Sequence, residues 1–212
     1  MADLSENLRR VREEIAEAAA RAGRDPAEVE VCAATKYVAI DDMGPLADAG
    51  IELVGENRQQ DLAAKHERWG ERFTWDFIGH LQSRKVKAVL PYVRLIHSVA
   101  SDSVLAQLER HGSPDTEVLV EVNVAGEEGK SGIAPAELAA FLERCPVRVS
   151  GLMTMPPLTD DPEDSRPHFA ALRELAERHG LPRLSMGTTQ DFAVAVEEGA
   201  TIVRIGTRLY QA

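Results

Sequence analysis

A single lysine raises the first chemical question. In "VEVCAATKYVAI" (29–40) an apolar, β-branched run ends at Thr35, and Lys36 follows. Lysine is seldom buried unless its amine is paired or used. Two motifs near the other end of the chain share a second logic. "SMGTTQDFAVAV" (185–196) is a strand, a glycine, two hydroxyls and then a helical pattern; "RIGT" (204–207) repeats the glycine and hydroxyl. Glycine lets an anion approach the backbone, and N–H groups at a helix start point outward to meet it. Thr188 or Thr189 alone reads equally well as a helix cap. Taken together, the two motifs favour a phosphate site. A lysine amine facing that site suggests a Schiff base to a phosphorylated aldehyde or ketone. Pyridoxal 5′-phosphate (PLP) fits, and so does a sugar phosphate in a class I aldolase.

Arg204 narrows this choice. Strand alternation puts Ile202, Arg204 and Gly206 on one face, opposite Val203 and Ile205. If Gly206 faces the ligand, so does Arg204. A guanidinium only donates hydrogen bonds and stays charged. Against a pyridine nitrogen it would keep that nitrogen unprotonated; the plainer reading is a structural ion pair.

These residues need a scaffold that brings them together. Leu4, Leu8, Val11, Ile15, Ala18 and Ala22 share one helical face, with Ser5 as a cap. Strands are then expected at 29–35, 52–56, 74–79, 94–99, 117–124, 147–155, 182–187 and 201–206. Helices are expected near 40–49, 57–69, 83–90, 102–111, 135–144, 163–179 and 189–198. This alternation predicts an α/β fold, a closed parallel (β/α)8 barrel in one domain over residues 1–212. Six residues follow strand eight, too few for an eighth helix, so the first helix should cover that gap. A doubly wound open sheet is the alternative, but it would normally start with a strand. In such a barrel the active face lies at the C-terminal strand ends, and phosphate sites recur after strands seven and eight. Closure sets strand eight beside strand one, so the phosphate site lies across the mouth from Lys36. Asn57, His80, Gln82 and Ser83 end strands two and three on the same face.

Other patterns are weaker. "AGEEGKSGI" (125–133) contains GKS, but Val124 stands where a P-loop needs glycine, so it reads as a rim loop from which Lys130 reaches the mouth. "MPPLTDDPEDSRP" (155–167) reads as a solvated loop, its aspartates near a helix start. The histidines form no metal pattern; His80 suits a hydrogen bond at the mouth and His97 a satisfied core position. The chain is 44% apolar and 28% charged, with net charge −11, which opposes a broad nucleic-acid or anionic-membrane footprint. The charged N-terminus lacks a leader's apolar core, and no run is long enough to span a membrane. Cys32 and Cys145 form no pattern, which fits a reducing cytoplasm.

From the first helix to the end, the motifs resemble the PLP homeostasis proteins, a family similar to the N-terminal barrel of alanine racemase. The matching stretches include "ATKYV", "GENRQQDLAAK", "WDFIGHLQSRK", "VEVNVAGEEGKSGI" and "LSMGTTQDFAVAVEEGATIVRIGTRLY". The resemblance implies PLP held as an aldimine on Lys36, with Asn57 near the cofactor. It places Ser185, Gly187, Gly206 and Thr207 around the phosphate and Arg204 at the pyridine nitrogen. The family often reads "SMGMS" where this chain has "SMGTT", so Thr189 replaces a phosphate-facing serine and keeps the hydroxyl. The leading functional reading is a PLP carrier in vitamin B6 and amino-acid homeostasis, with apo PLP enzymes as recipients; the charge and the cysteines add a cytoplasmic protein with no nucleic-acid or membrane partner, and a barrel without an added domain is expected to be a monomer. An amino-acid racemase is the alternative, and a sugar-phosphate aldolase a third. Two-base racemisation needs a second acid or base. Of Tyr37, Tyr92 and Tyr210, Tyr37 is expected to point away from Lys36.

Overall fold

The three- and four-residue spacing near the N-terminus forms α1 (Leu4–Arg21), which buries Leu8, Val11, Ile15, Ala18 and Ala19. Its cap is Asp3, not Ser5: the Asp3 carboxylate accepts from the Glu6 N–H at 3.1 Å. A computed structural model describes residues 3–211. Eight parallel strands follow: β1 (Glu30–Ala34), β2 (Leu53–Glu56), β3 (Thr74–Phe77), β4 (Leu95–Val99), β5 (Glu117–Glu121), β6 (Arg148–Met153), β7 (Arg183–Thr188) and β8 (Ile202–Ile205). They close in sequence order, with β8 against β1.

Between the strands lie α2 (Gly44–Asp48), α3 (Gln59–Trp69), α4 (Val86–Val89), α5 (Asp102–His111), α6 (Leu138–Arg144), α7 (Arg166–His179) and α8 (Phe192–Glu197), and α9 (Thr207–Tyr210) follows β8. Helix α1 packs on α8 and α9, covering the expected gap. The Asn7 amide donates to the carbonyls of Leu209 (3.1 Å) and Gln211 (2.8 Å), which pins the last turn to α1.

Several elements are shorter than the patterns predict, for local reasons. Past Glu121 the pairing of β5 changes partner: the Val122 N–H still donates to the Met153 carbonyl at 2.9 Å, but the Asn123 N–H donates to the Ile133 carbonyl at 2.9 Å, folding the rim loop back. β6 stops at Met153, before Pro156 and Pro157, which lack an N–H for the ladder. α8 starts at Phe192 because the Asp191 carboxylate turns back to accept from the Thr188 N–H at 2.7 Å.

Strand alternation sorts the core into two layers. Cys32, Leu53, Leu95, Leu119, Met153 and Ile202 fill the barrel interior. Val54, Val118, Leu152, Val203 and Ile205 face the helices.

One polar group crosses into the outer layer. Lys65 of α3 is buried, and its amine forms an ion pair with Glu56 at the end of β2. It also donates to the Thr35 carbonyl at 2.7 Å. The Thr35 hydroxyl donates to Glu56 Oε1 at 2.6 Å, and the Asn57 N–H donates to Oε2 at 3.3 Å. The cluster ties the ends of β1 and β2 to a helix. Removing one buried partner strands the other charge at about 3–5 kcal/mol. Lys65→Met should therefore lose about that much stability in urea unfolding, and adding Glu56→Gln should recover a large part of it. A single variant within about 0.5 kcal/mol of wild type would show that the pair does not hold the strand ends.

Candidate functional site

The C-terminal strand ends surround a cavity of about 1190 Å³. Lys36, Asn57, His80, Thr188, Thr189, Arg204, Gly206 and Thr207 line it. The walls are otherwise largely apolar, with Ile78, Met153 and Met155 among them. This combination, an apolar hollow with a few polar groups, suits a small organic ligand.

Lys36 sits in the turn after β1, exposed to the cavity, its Nζ 4.7 Å from the centre of the Tyr37 ring. Tyr37 departs from the alternation argument. β1 ends at Ala34, so the two-residue period stops before the tyrosine, and Tyr37 lies on the cavity rim, 84% exposed. Opposite, on the interior face of β2's end, Asn57 presents a buried side-chain oxygen with no hydrogen-bond partner among the described residues. Gly79 permits this arrangement: a Cβ there would lie 2.2 Å from the Asn57 carbonyl oxygen. His80 is exposed at the rim, its Nδ1 3.3 Å from the Ser131 hydroxyl of the "GKSG" loop. Lys130 of that loop also lines the cavity, paired with Glu127. Gln82 and Ser83 are not on the cavity wall.

The residues after β7 and β8 divide into two groups. Thr189 accepts from the Gly206 N–H at 3.1 Å, which leaves its own hydroxyl hydrogen free to donate. A Cβ on Gly206 would meet nothing nearer than Ala34 Cβ at 3.8 Å, and Thr207 begins α9 with its first-turn N–H lacking an intrahelical acceptor. These groups face the cavity together. Thr188 behaves as a turn residue, with both its N–H and its hydroxyl directed to Asp191. Ser185 and Gly187 are not on the cavity wall. Ser185 is fully buried inside the barrel because β7 alternation turns it inward. Gly187 has φ +88°, and a Cβ there would meet Ala195 Cβ at 2.6 Å. Its bareness lets α8 pack against the strand.

Arg204 is the unusual charge. It is 6% exposed, yet no carboxylate pairs with it among the described residues. Nη1 donates to Ser185 Oγ at 2.5 Å; Nη2 donates to the Thr154 carbonyl at 2.9 Å and contacts Met155 Sδ at 3.0 Å. Burial pushes its pKa down, partly offset by nearby acidic groups. One of those is Glu121, 7% exposed on the cavity wall, whose carboxyl burial pushes up against the pull of Arg204. Glu121 follows the same parity as interior Leu119, so strand alternation alone could have found it. Tyr210, named in the sequence but given no place at the mouth, also borders the cavity; its buried hydroxyl has no partner among the described residues, and burial holds the phenol above its usual pKa. The described residues hold no cluster of His, Cys, Asp or Glu suited to a metal, and no helix among them is long and apolar enough to cross a membrane.

The comparisons with known proteins agree with this architecture. A family model described as alanine racemase, N-terminal domain, matches residues 6–212. A pyridoxal phosphate homeostasis protein of Aquifex aeolicus (strain VF5) is 42% identical over 97% of this chain and 96% of its own length. A solved structure of an unknown protein from Bifidobacterium adolescentis aligns with TM-score 0.89 and 34% identity, over 98% of this chain and 94% of that one. PipY of Synechococcus elongatus PCC7942, solved with PLP bound, aligns with TM-score 0.77 and 30% identity, over 93% of this chain and 100% of that one. The chain belongs to the alanine racemase N-terminal-domain family, among the pyridoxal phosphate homeostasis proteins.

Proposed function

We propose that this chain binds PLP reversibly, linked covalently through Lys36, and serves intracellular vitamin B6 and amino-acid homeostasis as a carrier without catalytic turnover. The observation that carries the reading is Arg204, a buried guanidinium with no carboxylate partner among the described residues, on the wall of the cavity that also holds the Lys36 amine. A buried charge left unpaired is costly, so the site suits a ligand acceptor at that point. A pyridine nitrogen is such an acceptor. The Thr189 hydroxyl and the backbone around Gly206 and Thr207 suit the phosphate. The unpartnered Asn57 oxygen suits a donor on the ligand. PLP, when bound, supplies an aldehyde that condenses with amines and a ring that can take up electrons.

The carrier reading follows from what these residues do to that ring. Arg204 only donates, so it keeps the ring nitrogen unprotonated and the ring a weak electron sink. The mouth is open: Tyr37 and Met155 stand exposed at its rim, so a ligand has a way out. Apo PLP enzymes are the natural recipients. We take residues 1–212 as one domain and the working unit as a cytoplasmic monomer.

Lys36 should be the attachment point. Borohydride reduction of PLP-loaded protein, followed by peptide mass spectrometry, should find the pyridoxyl group on Lys36. Lys36→Ala should lose the label and keep its fold by circular dichroism. Label on Lys130, the other lysine on the cavity wall, would overturn the assignment.

The racemase reading draws support from Tyr210, whose phenol borders the cavity. Burial keeps that phenol protonated, which makes it a poor base. Loaded protein in deuterated water should therefore exchange the α-hydrogen of added amino acids no faster than its Lys36→Ala variant. Rapid exchange, lost in that variant, would favour an enzyme.

A further inference from the structure

A line of buried polar side chains leads from Arg204 down through the barrel. Ser185 Oγ lies 2.9 Å from His97 Nδ1, and His97 Nε2 lies 3.1 Å from Asp76 Oδ2. Asp76 accepts two bonds from Arg94, at 2.8 and 3.1 Å, and Arg94 also donates to Glu30 at 2.5 Å. His97, Ser185 and Asp76 are fully buried, whereas Arg94 and Glu30 are partly exposed at the opposite end. The members come from β1, β3, β4, β7 and β8 and the residue just before β4.

The donors fix the direction of every bond. Arg204 can only donate, so Ser185 Oγ accepts from it. The one hydroxyl hydrogen of Ser185 then goes to His97 Nδ1. His97 must carry its own hydrogen on Nε2, where it donates to Asp76. Burial, helped by the charges of Arg204 and Arg94, lowers the pKa of His97 despite Asp76, so the ring is neutral and can accept at Nδ1. Burial works against the charge on Asp76, but the bonds from His97 and Arg94 outweigh it and keep the carboxylate ionised. Ser, His and Asp in this order resemble a hydrolytic triad, but here the hydroxyl is bonded to a guanidinium and is sealed from the cavity.

We propose that Ser185 and His97 are positioning residues that orient Arg204 toward the ring nitrogen of bound PLP, anchored through Asp76 and Arg94 to the far end of the barrel. This inference rests on the PLP reading. It gives Ser185 a role at the ring-nitrogen end of the ligand through Arg204, without contact with the phosphate. Ser185 supplies the only side-chain oxygen that Arg204 touches among the described residues. Without it the guanidinium keeps a carbonyl and a thioether, which leave one terminal nitrogen unsatisfied.

The test uses full-length protein saturated with PLP carrying nitrogen-15 in its ring. In wild type the ring-nitrogen resonance should report an unprotonated nitrogen that accepts a hydrogen bond. Ser185→Ala should move that resonance and speed PLP dissociation about tenfold or more, the effect of losing a bond to a charged group. Ser185→Thr keeps the hydroxyl and should restore both. His97→Gln, whose amide can accept from Ser185 and donate to Asp76, should stay near wild type, while His97→Leu should behave like Ser185→Ala. If Ser185→Ala folds too poorly to load, the two His97 variants decide by the same readout. A resonance unchanged in Ser185→Ala or His97→Leu, with only thermal stability reduced, would overturn the proposal and leave the line as packing. Absence of any bound PLP in wild type would instead defeat the reading on which it rests.

Discussion

The hydrogen bonding of β8 to β1 is the constraint on which the site depends. These strands come from opposite ends of the chain, and their register sets Cys32 beside Arg204 and Ala33 beside Ile205. That pairing carries the turn holding Lys36 to the same mouth as Gly206 and Thr207. An open sheet would leave the two groups on separate edges. Closure also removes the unpaired edges that a sheet of this length would otherwise expose. Helix α1 then seals the seam, with its apolar face on α8 and α9 and Asn7 bonded to the final turn.

Two buried charged groups in this barrel are handled in opposite ways. Lys65 meets the Glu56 carboxylate and the Thr35 carbonyl, so its charge is accounted for by the fold. Arg204 meets a hydroxyl, a carbonyl and a sulfur, and no carboxylate among the described residues. The first arrangement is architectural; it fixes the backbone just before Lys36 and at Asn57. The second is incomplete as protein structure and becomes reasonable when a ligand atom supplies the missing acceptor. The difference between the two is stronger evidence for a binding site than the cavity alone.

The barrel was legible because its signal is repeated: β-branched runs alternate with helical stretches, and each strand's period sorts inside from outside. The same logic located Arg204 on the interior face of β8. It failed at Tyr37, where the strand had already ended and alternation no longer governs. It also missed the pairing of Glu56 with Lys65, since nine positions separate a strand end from a helical lysine and only the packing of α3 brings them together. Ser185 and Gly187 illustrate a different limit. A glycine-rich motif beside a hydroxyl looks like an anion cup, yet here the serine turns into the barrel and the glycine makes room for α8. A motif gives the residues that a site needs; it does not say which of them touch the ligand and which hold those that do.

A crystal structure of the protein soaked with PLP tests the central claim most directly, because it locates all parts of the ligand at once. Density should run continuously from Lys36 Nζ to the ligand, with the phosphate against Thr189, Gly206 and Thr207 and the ring nitrogen at the guanidinium of Arg204. PLP attached to Lys130, or a phosphate seated away from the loops after β7 and β8, would contradict it.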